Sequence, residues 1–473
     1  MLERLMTSIA SRPPKNDVAP KASSLTRPYF LSLADHIGEK ISQQELAPGD
    51  RLPPHRELSY QTGLSVPTIS RAYAELAARG LVAGEVGRGT FVQGPLPVDV
   101  PYLPAALQGV IDLSIIKPVS DPIHLSRLKS ELASIAAELP PEILFAARPS
   151  YLDGKHRESA RTWLARLGVE TSAANIQITN GGMPAATVAL MAAARPGSVV
   201  VTEGTGLHSL PQLTSYLGIE LHGLPIDDQG VLPDAFESAC RQRKVSAFFC
   251  APGGASPTAY MINAARRAEL VSVAEKHGVL IIEDDVFGAL GEPGTTFHSL
   301  APDRTLYFTS FTKCIAPGLR VGYLAVPDRF VPAVENRHMV TNWMATPMVT
   351  EVATRWVRSG IAAELVDRQR AAIARRHKIT AGILGDGEYR SHPAGLHVWL
   401  PLGEGQREEE FVVHARRHNI AVARGSVFGI GGRTQPAAVR VSLGSTGEAE
   451  LESALRILRG LLSSELEPAL LGF

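Results

Sequence analysis

Cysteine is scarce in this chain of 473 residues, and the three that occur lie far apart. Cys240, Cys250 and Cys314 form no CxxC pair, which argues against a disulfide framework and against a structural zinc site. Such usage is typical of proteins from a reducing cytoplasm. We therefore expect a cytoplasmic protein without a metal, in which each cysteine acts as a small apolar side chain.

Long apolar runs and an excess of charge are also missing. No stretch reaches the ~20 residues that cross a bilayer, and the N-terminus lacks the apolar core of a signal peptide, so no membrane partner is expected. Lysine plus arginine and aspartate plus glutamate both number 47, so the net charge favours no class of partner. The length predicts two to four domains or subdomains with a substantial core.

Residues 25–93 are expected to form a domain of three helices and a β-hairpin, after a disordered N-terminus over 1–24. Apolar residues at helical spacing predict the first helix, a short second helix ends at Gly63, and Ser65 is a suitable N-cap for the third. The hairpin that follows carries the sequence GRG at its tip. Together these elements describe a winged helix-turn-helix, an α+β domain.

A winged helix suits DNA, although a small helical adaptor is the competing interpretation. The third helix of such a domain fits the major groove, and a hairpin tip with an arginine and two glycines can approach phosphates closely. The adaptor interpretation draws on charge, because acidic and basic residues balance here whereas DNA-binding domains are usually more basic.

The sequence from Leu46 to Val92 resembles the GntR-type winged helix along its whole length. It begins LAPGDRLPPHREL and ends VGRGTFV. The resemblance implies a double-stranded DNA operator as the partner, with Arg56, Thr68, Arg88 and Gly89 at family positions. Ser70 and Arg71 fall away from the expected apolar stripe of the third helix. We therefore expect DNA contacts from the second helix, the third helix and the wing: Arg56, Ser65, Thr68, Ser70, Arg71, Arg88 and Gly89. Val66 and Ser70 occupy positions that are often arginine in that family, so the base preference should differ.

A proline-rich stretch over 94–110 predicts a semi-rigid linker. From 111 to 473, apolar strand-like runs alternate with helical ones, which predicts an α/β domain with a mostly parallel central sheet covered by helices on both faces. Ligands bind at the carboxyl ends of the strands in such sheets. Polar residues that follow strands are therefore the candidates for a site.

Three predicted strand ends carry residues suited to one cofactor: Gly181, Gly182 and Met183; Asp284; and Ser310, Thr312, Lys313 and Arg320. A glycine-rich helix start binds anions, hydroxyls and a guanidinium add to a phosphate site, and an amine can form a Schiff base. A carboxylate keeps a pyridine nitrogen protonated, so that the ring withdraws electrons. Each part alone is commonly structural, but the set predicts pyridoxal 5′-phosphate.

Residues 111–473 resemble a fold-type-I aminotransferase domain, the α/β PLP-dependent transferase fold. Joined to the winged helix, the chain resembles the MocR/GabR regulators over nearly all of its length. The resemblance implies a large cofactor-binding subdomain at about 150–330 and a smaller C-terminal α+β subdomain at about 331–473. It also implies that Lys313 forms the cofactor aldimine, that Asp284 pairs with the ring nitrogen, and that Ser310 and Arg320 bind the phosphate.

Two further residues take their roles from the resemblance alone. Arg440, in VRVSLG, matches the arginine that holds the α-carboxylate of an effector. Tyr151 matches a tyrosine that reaches across a homodimer to the cofactor phosphate of the partner.

The chain departs from the family pattern around the cofactor ring. Phe287 stands where a tyrosine usually contacts the ring hydroxyl, and Ser256 stands where an asparagine does. The expected stacking aromatic is missing near Leu207, and His208 is the nearest ring. These losses predict that cofactor binding survives while catalysis suffers, because ring-hydroxyl contacts tune the proton transfer.

Three functions stay open at this point. The first is a transcription factor that binds pyridoxal phosphate and senses an amine or amino acid without acting as an enzyme. The second is an active aminotransferase tethered to DNA, and the third is a regulator that has lost the cofactor.

Overall fold

The computed structural model describes residues 18–20, 25–42, 45–46, 50–78, 81–85, 89–92, 109–139, 141–152, 154–253, 257–292, 294–385, 387–403, 405–430 and 436–463. The chain divides into two compact units, Met1–Gln108 and Gly109–Phe473. The predicted linker is described only at residues 109 and 110. Arg88, Ser256 and the side chain of Tyr151 lie outside the described residues, so the roles predicted for them remain predictions.

The first unit has the predicted order of elements: α1 (Tyr29–Ser42), α2 (His55–Thr62), α3 (Val66–Ala78), β1 (Val82–Glu85) and β2 (Gly89–Val92). Gly63 ends α2 in the left-handed conformation, with φ 72°, which glycine adopts without steric cost. The two strands pair as an antiparallel hairpin. The apolar stripe of α3, formed by Ile69, Tyr73 and Leu76, is buried.

Val18 differs from the disorder predicted for residues 1–24. Its side chain is fully buried in the core of the first unit, together with Leu33 and Ile37 of α1. A single valine carries no periodicity, so the sequence pattern could not indicate this contact.

The helices of the second unit are α4 (Pro122–Glu138), α5 (Pro141–Phe145), α6 (Lys155–Ala165), α7 (Gly182–Ala193), α8 (Leu210–Tyr216), α9 (Pro233–Gln242), α10 (Ala264–His277), α11 (Phe297–Leu300), α12 (Phe311–Cys314), α13 (Val331–Asn342), α14 (Pro347–Ser359), α15 (Ile361–Leu384), α16 (Glu408–Arg417) and α17 (Glu448–Leu462). Its strands are β3 (Ile111–Asp112), β4 (Ile176–Thr179), β5 (Val199–Glu203), β6 (Glu220–Leu224), β7 (Ile226–Asp227), β8 (Gly230–Val231), β9 (Val245–Cys250), β10 (Leu280–Asp284), β11 (Thr305–Ser310), β12 (Gly322–Ala325), β13 (Arg390–Ser391), β14 (His397–Pro401), β15 (Ile420–Ala421), β16 (Ala423–Arg424) and β17 (Ala438–Ser442).

A seven-stranded sheet forms the centre of the second unit, in the order β4-β12-β11-β10-β9-β5-β6. β12 runs antiparallel to both of its neighbours, and the other described pairings are parallel. The central strands β9 to β11 are almost wholly buried, as expected of strands covered on both faces. The predicted mostly parallel sheet is therefore confirmed.

A second sheet, in the order β13-β14-β17-β16, lies near the C-terminus. One face packs against α16 and α17 through Val398, Leu400, Val439 and Val441. Because side chains alternate along a strand, His397, Trp399, Arg440 and Ser442 share the opposite face. Helices α13 and α14, which the sequence places in the small subdomain, pack against α7 and α6 beside the large sheet.

Candidate cofactor and DNA sites

Strand β12 brings two of the predicted strand ends together. Its first residue, Gly322, pairs with Thr179 at the end of β4 and with Ser310 at the end of β11. A Cβ atom at position 322 would lie 2.7 Å from Oγ1 of Thr179 and 2.8 Å from the carbonyl carbon of Gly181. This close approach requires glycine, and it places the glycine turn before α7 beside the end of β11.

Gly181, Gly182 and Arg320 form a cup at the start of α7. Gly181 has φ +96°, and a Cβ there would lie 2.9 Å from Nη2 of Arg320. That nitrogen donates a hydrogen bond of 3.1 Å to the carbonyl oxygen of Asn180. A Cβ at position 182 would lie 3.6 Å from Oγ of Ser310. The guanidinium, the helix start and the hydroxyl therefore converge.

Two hydroxyls at the junction of β11 and α12 lack hydrogen-bond partners within the part of the chain that is described. They are Oγ of Ser310 and Oγ1 of Thr312, and both atoms are buried. Leaving a buried hydroxyl without a hydrogen bond costs about 1–3 kcal/mol. Such groups are therefore candidates for hydrogen bonds to a bound ligand. A phosphate group fits this donor set, since it accepts from hydroxyls, backbone N–H groups and a guanidinium. Met183, in the first turn of α7, is partly exposed beside Ser209.

Lys313 lies in α12, directly after β11. Its Nζ donates a hydrogen bond of 2.6 Å to the carbonyl oxygen of Ile116. Burial, the positive charge of Arg440 and, more weakly, that of Arg320 lower its pKa to about 8, while Asp284 acts in the opposite sense. A neutral amine is the nucleophilic form, so this environment suits attack on a carbonyl.

Asp284 ends β10, and its carboxyl group is buried. Burial raises its pKa to about 7, the negative charges of Asp285 and Glu203 add to that rise, and Lys313 opposes it. The backbone N–H of Val286 donates to Oδ1 at 3.3 Å. An ionised Asp284 would gain a cationic N–H partner here, which is what a protonated pyridine nitrogen supplies.

The neighbouring carboxylates have structural partners. Glu283 pairs with Arg267 at 2.9 Å and accepts from the backbone N–H groups of Phe297 and His298. Asp285 accepts from the hydroxyl of Tyr307 at 2.6 Å. Of the three acidic residues in EDD, Asp284 is therefore the one that remains available to a ligand.

Arg440 lies on the polar face of the second sheet, with its guanidinium 4.5 Å from the centre of the Phe428 ring. Its Nη2 donates a hydrogen bond of 2.5 Å to the carbonyl oxygen of Ser114. Burial lowers its pKa to about 10, so it stays a cation at neutral pH. A carboxylate is the ligand that such a buried guanidinium prefers.

One short segment therefore contacts both cations of the site. Ser114 holds Arg440, Ile116 holds Lys313, and the backbone N–H of Ser442 donates to the carbonyl oxygen of Leu113 at 2.8 Å. Asp112 accepts from the N–H and the hydroxyl of Ser114, a local turn that orders the backbone. Residues 113–117 could not be singled out from the sequence, because a contact made by a backbone carbonyl does not depend on residue type.

Two further side chains of the site, Val286 and His397, were not predicted from the sequence. A Cβ at position 182 would lie 3.1 Å from Cγ1 of Val286, so Val286 lines the cup. His397 is fully buried on the polar face of β14, and its ring lies 6.4 Å from that of Phe287. Burial and the charge of Arg440 lower its pKa to about 3, so it is neutral.

His208, the ring nearest to the expected stacking position, packs against a side chain of the protein. The ring of His208 makes an edge contact with Phe428 at 5.6 Å. Burial and the charges of Arg440 and Lys313 lower its pKa to about 4. His208 therefore lies beside Phe428 and near Arg440 as a neutral ring.

The described DNA candidates lie on α2, α3 and the wing. Arg56 and Ser65 are exposed, Ser65 and Thr68 share a 2.8 Å hydrogen bond, and Ser70 contacts Nδ1 of His55 at 3.2 Å. Arg71 is exposed and stacks on an aromatic ring of α1. Gly89 begins β2 at the turn end of the hairpin and lies against the guanidinium of Arg51.

Comparison with known sequences assigns both units. Residues 125–458, more than half of the chain, match the family Aminotransferase class I and II. The chain belongs to this family. A second match, to the bacterial regulatory proteins of the gntR family, covers residues 31–92. The gntR match supports DNA binding by the first unit, and the two matches together confirm the MocR/GabR type of organisation.

Relatives of similar length are transcriptional regulators. The chain is 26% identical over 446 residues to the HTH-type regulator YdeF of Bacillus subtilis, covering 94% of this chain and 96% of that protein. It is 24% identical over 470 residues to TauR of Rhodobacter capsulatus, covering 91% and 96%. It is 26% identical over 388 residues to the pyridoxine biosynthesis regulator PdxR of Corynebacterium glutamicum, covering 78% and 82%.

Solved aminotransferases share the fold of the second unit. Kynurenine aminotransferase from Pyrococcus horikoshii gives a TM-score of 0.69 at 21% identity, covering 76% of this chain and 92% of that one. LysN, an α-aminoadipate aminotransferase from Thermus thermophilus, gives 0.67 at 21% identity, covering 75% and 92%. The predicted fold, a winged helix followed by fold type I, is therefore confirmed.

Within the described ranges, no helix is long and apolar enough to span a membrane. The same residues contain no group of three or more histidine, cysteine, aspartate or glutamate side chains placed to hold a metal ion.

Proposed function

We propose that this protein is a cytoplasmic, homodimeric transcriptional regulator that holds pyridoxal 5′-phosphate covalently on Lys313 and senses an amine or amino acid. The observation that carries the proposal is the convergence on one amine of the anion cup, Asp284 and Arg440. The aminotransferase class I fold depends on pyridoxal phosphate, and the LysN structure contains a phosphopyridoxyl-leucine.

The chain's own residues fit this cofactor. Gly181, Gly182, Ser310, Thr312 and Arg320 would hold the phosphate, since the two hydroxyls lack partners among the described residues. Asp284 would hold the ring nitrogen. When bound, the cofactor supplies an electrophilic carbon onto which primary amines exchange and a ring that withdraws electrons.

Lys313 and Arg440 give the site its selectivity. The lowered pKa of Lys313 makes the amine available as a nucleophile and as a leaving group for an incoming amine. Arg440 would bind an effector carboxylate in place of the Ser114 carbonyl, because a charged acceptor hydrogen-bonds about twice as strongly as a neutral one. Effectors with both an amine and a carboxylate should therefore bind best.

Residues 113–117 connect this site to the predicted linker along the chain. They begin a few residues after the boundary between the two units, and both of their contacts with site cations are lost when those cations take ligands. An effector can shift a conformational equilibrium only through such differences in contact between two states. Release of this segment is the difference that we propose links effector binding to operator affinity.

An active aminotransferase is the alternative, and the lowered pKa of Lys313 favours it because proton transfer needs a base poised near neutral pH. Phe287 counts against it. Its ring packs near His397 and carries no hydroxyl for the cofactor.

Titration of the full-length protein with amines, amino acids and keto acids would test the proposal. The visible absorbance of the cofactor and the affinity for operator DNA would be followed in the same samples. A sensor predicts that both change at the same effector concentration without keto-acid turnover. Steady turnover with operator affinity unaltered would establish the alternative.

A further inference from the structure

Two exposed arginines flank a shallow groove between α1 and α3. The groove is lined by Arg27, Pro28, Tyr29, Phe30, Thr68 and Arg71. The guanidinium of Arg71 stacks on the Phe30 ring with its carbon 4.0 Å from the ring centre, and Arg27 lies 5.7 Å from the centre of the Tyr29 ring. We call Arg27, Tyr29, Phe30 and Arg71 the arginine patch.

The charge of this patch is not neutralised within the described residues. Neither Arg27 nor Arg71 forms an ion pair there, whereas Lys40 at the far end of α1 pairs with Glu45 at 2.8 Å. Stacking on a ring fixes the plane of a guanidinium and leaves its N–H groups free at the edge. Two guanidiniums held in this way suit the oxygens of a polyanion.

The position of the patch identifies the polyanion. Thr68 and Arg71 belong to α3, the helix that enters the major groove in this class of domain, and both line the groove. Thr68 is one turn from Arg71 on the same helix face. Contacts that flank a recognition helix usually reach the sugar-phosphate backbone and fix register rather than read bases.

We infer that the arginine patch binds operator phosphates, with Arg27 as a contact preceding α1 and Phe30 as the positioning residue for Arg71. The inference rests on operator binding by the first unit. It adds a DNA contact from outside the helix-turn-helix and the wing, and it assigns Arg71 to a phosphate rather than to a base.

Salt dependence of DNA binding tests this assignment in the full-length protein. Fluorescence anisotropy would measure affinity at several KCl concentrations, on an operator fragment selected from genomic DNA and on a random duplex of equal length. Each lost phosphate contact should lower the slope of log K against log salt by about 0.9. Arg27→Ala and Arg71→Ala should each do so by a similar amount on both duplexes.

Lys40→Ala is the matched control, because it removes one positive charge from the same unit outside the patch. It should leave the slope within error of the wild type. An Arg27→Ala slope equal to that of the wild type, or a Lys40→Ala effect as large as that of Arg27→Ala, would overturn the inference. A wild-type chain that binds neither duplex would instead remove operator binding itself.

Phe30→Leu tests whether Phe30 positions the Arg71 guanidinium or only stabilises the fold. It should weaken binding, and combining it with Arg71→Ala should add little further loss, because the two side chains act as one unit. Arg71→Lys should retain the salt slope while losing affinity, since an ammonium keeps the charge without the planar stack. Fully additive losses for Phe30→Leu and Arg71→Ala, with thermal unfolding unaltered, would contradict the positioning role.

Discussion

The amine of Lys313 lies 2.6 Å from the carbonyl oxygen of Ile116, so the nucleophile of the proposed site is held by the chain's own backbone. Two residues earlier, the carbonyl oxygen of Ser114 holds Arg440. Two neutral backbone carbonyls thus accept hydrogen bonds from Lys313 and Arg440, the two side chains through which an amino acid would bind. An amino acid that bound Lys313 and Arg440 would therefore have to replace both of these contacts.

Hydrogen–deuterium exchange should detect that change. Adding pyridoxal phosphate and an amino-acid effector should raise amide exchange over residues 113–117, because the contacts with Lys313 and Arg440 are both lost. The matching amine without a carboxylate should give a smaller rise, since only Lys313 is engaged. Peptides from α17 serve as the internal reference. Equal protection of residues 113–117 with and without an effector that alters DNA binding would rule out this segment as the coupling element.

Two neighbouring hydroxyl side chains on β11, Thr309 and Ser310, should have different roles, one in stability and one in cofactor binding. Ser310 has no partner among the described residues, whereas Thr309 donates to the carbonyl oxygen of Asp285 at 2.9 Å. Thr309→Val should lower the free energy of unfolding by about 1 kcal/mol, and Ser310→Ala should lower it by less. Ser310→Ala should instead weaken cofactor binding by about tenfold or more, because a hydrogen bond to a charged group is lost.

Denaturant unfolding and equilibrium dialysis of the cofactor would measure the two effects. If Ser310→Ala destabilised the fold as much as Thr309→Val and left cofactor affinity unaltered, Ser310 would be a structural residue.

Asp284 should make the stability of the ligand-free protein depend on pH. Burial raises its pKa from 3.8 to about 7, so between these values the folded state binds more protons than the unfolded state. The free energy of unfolding of the wild type should therefore fall relative to that of Asp284→Asn as the pH rises from 3.8 to about 7. Urea unfolding across this range measures the difference, and Asp303→Asn is a control at an exposed carboxylate. A constant difference between wild type and Asp284→Asn would contradict the raised pKa.

Lys313 should attach the cofactor at a lower pH than an ordinary lysine does. Its pKa of about 8 means that the neutral amine accumulates well below the usual value near 10.4. The rate of cofactor attachment to Lys313 should rise with pH and level off above about 8. The rate of attachment to lysine in free solution, with its α-amine blocked, should keep rising above that pH. Borohydride trapping at timed intervals measures both rates. Parallel profiles for the two amines would contradict a lowered pKa.

Local chemistry made part of this structure predictable. The glycines before α7, the carboxylate ending β10 and Lys313 after β11 all follow buried strands, and parallel strands end at one edge of a sheet. The three helices and hairpin of the first unit follow from apolar periodicity and turn residues. These patterns depend only on residue type and spacing.

Contacts made through backbone carbonyls were not predictable in this way. Ser114 and Ile116 act through main-chain oxygens, which every residue possesses, and their partners lie 326 and 197 positions away. His397 carries no pattern beyond alternation on β14, and its burial beside Phe287 follows from tertiary packing. Stacking of Arg71 on Phe30 likewise joins two helices whose relative placement no local pattern specifies.

The most direct test of the sensing mechanism is borohydride reduction of the full-length protein saturated with pyridoxal phosphate, followed by peptide mapping. We expect a single stable phosphopyridoxyl adduct on Lys313, its loss in Lys313→Ala with folding retained, and no loss in Lys244→Ala, at an exposed lysine of the same unit. A protein that takes up no adduct at Lys313, or one that keeps its full effector response in Lys313→Ala, would contradict the sensing mechanism.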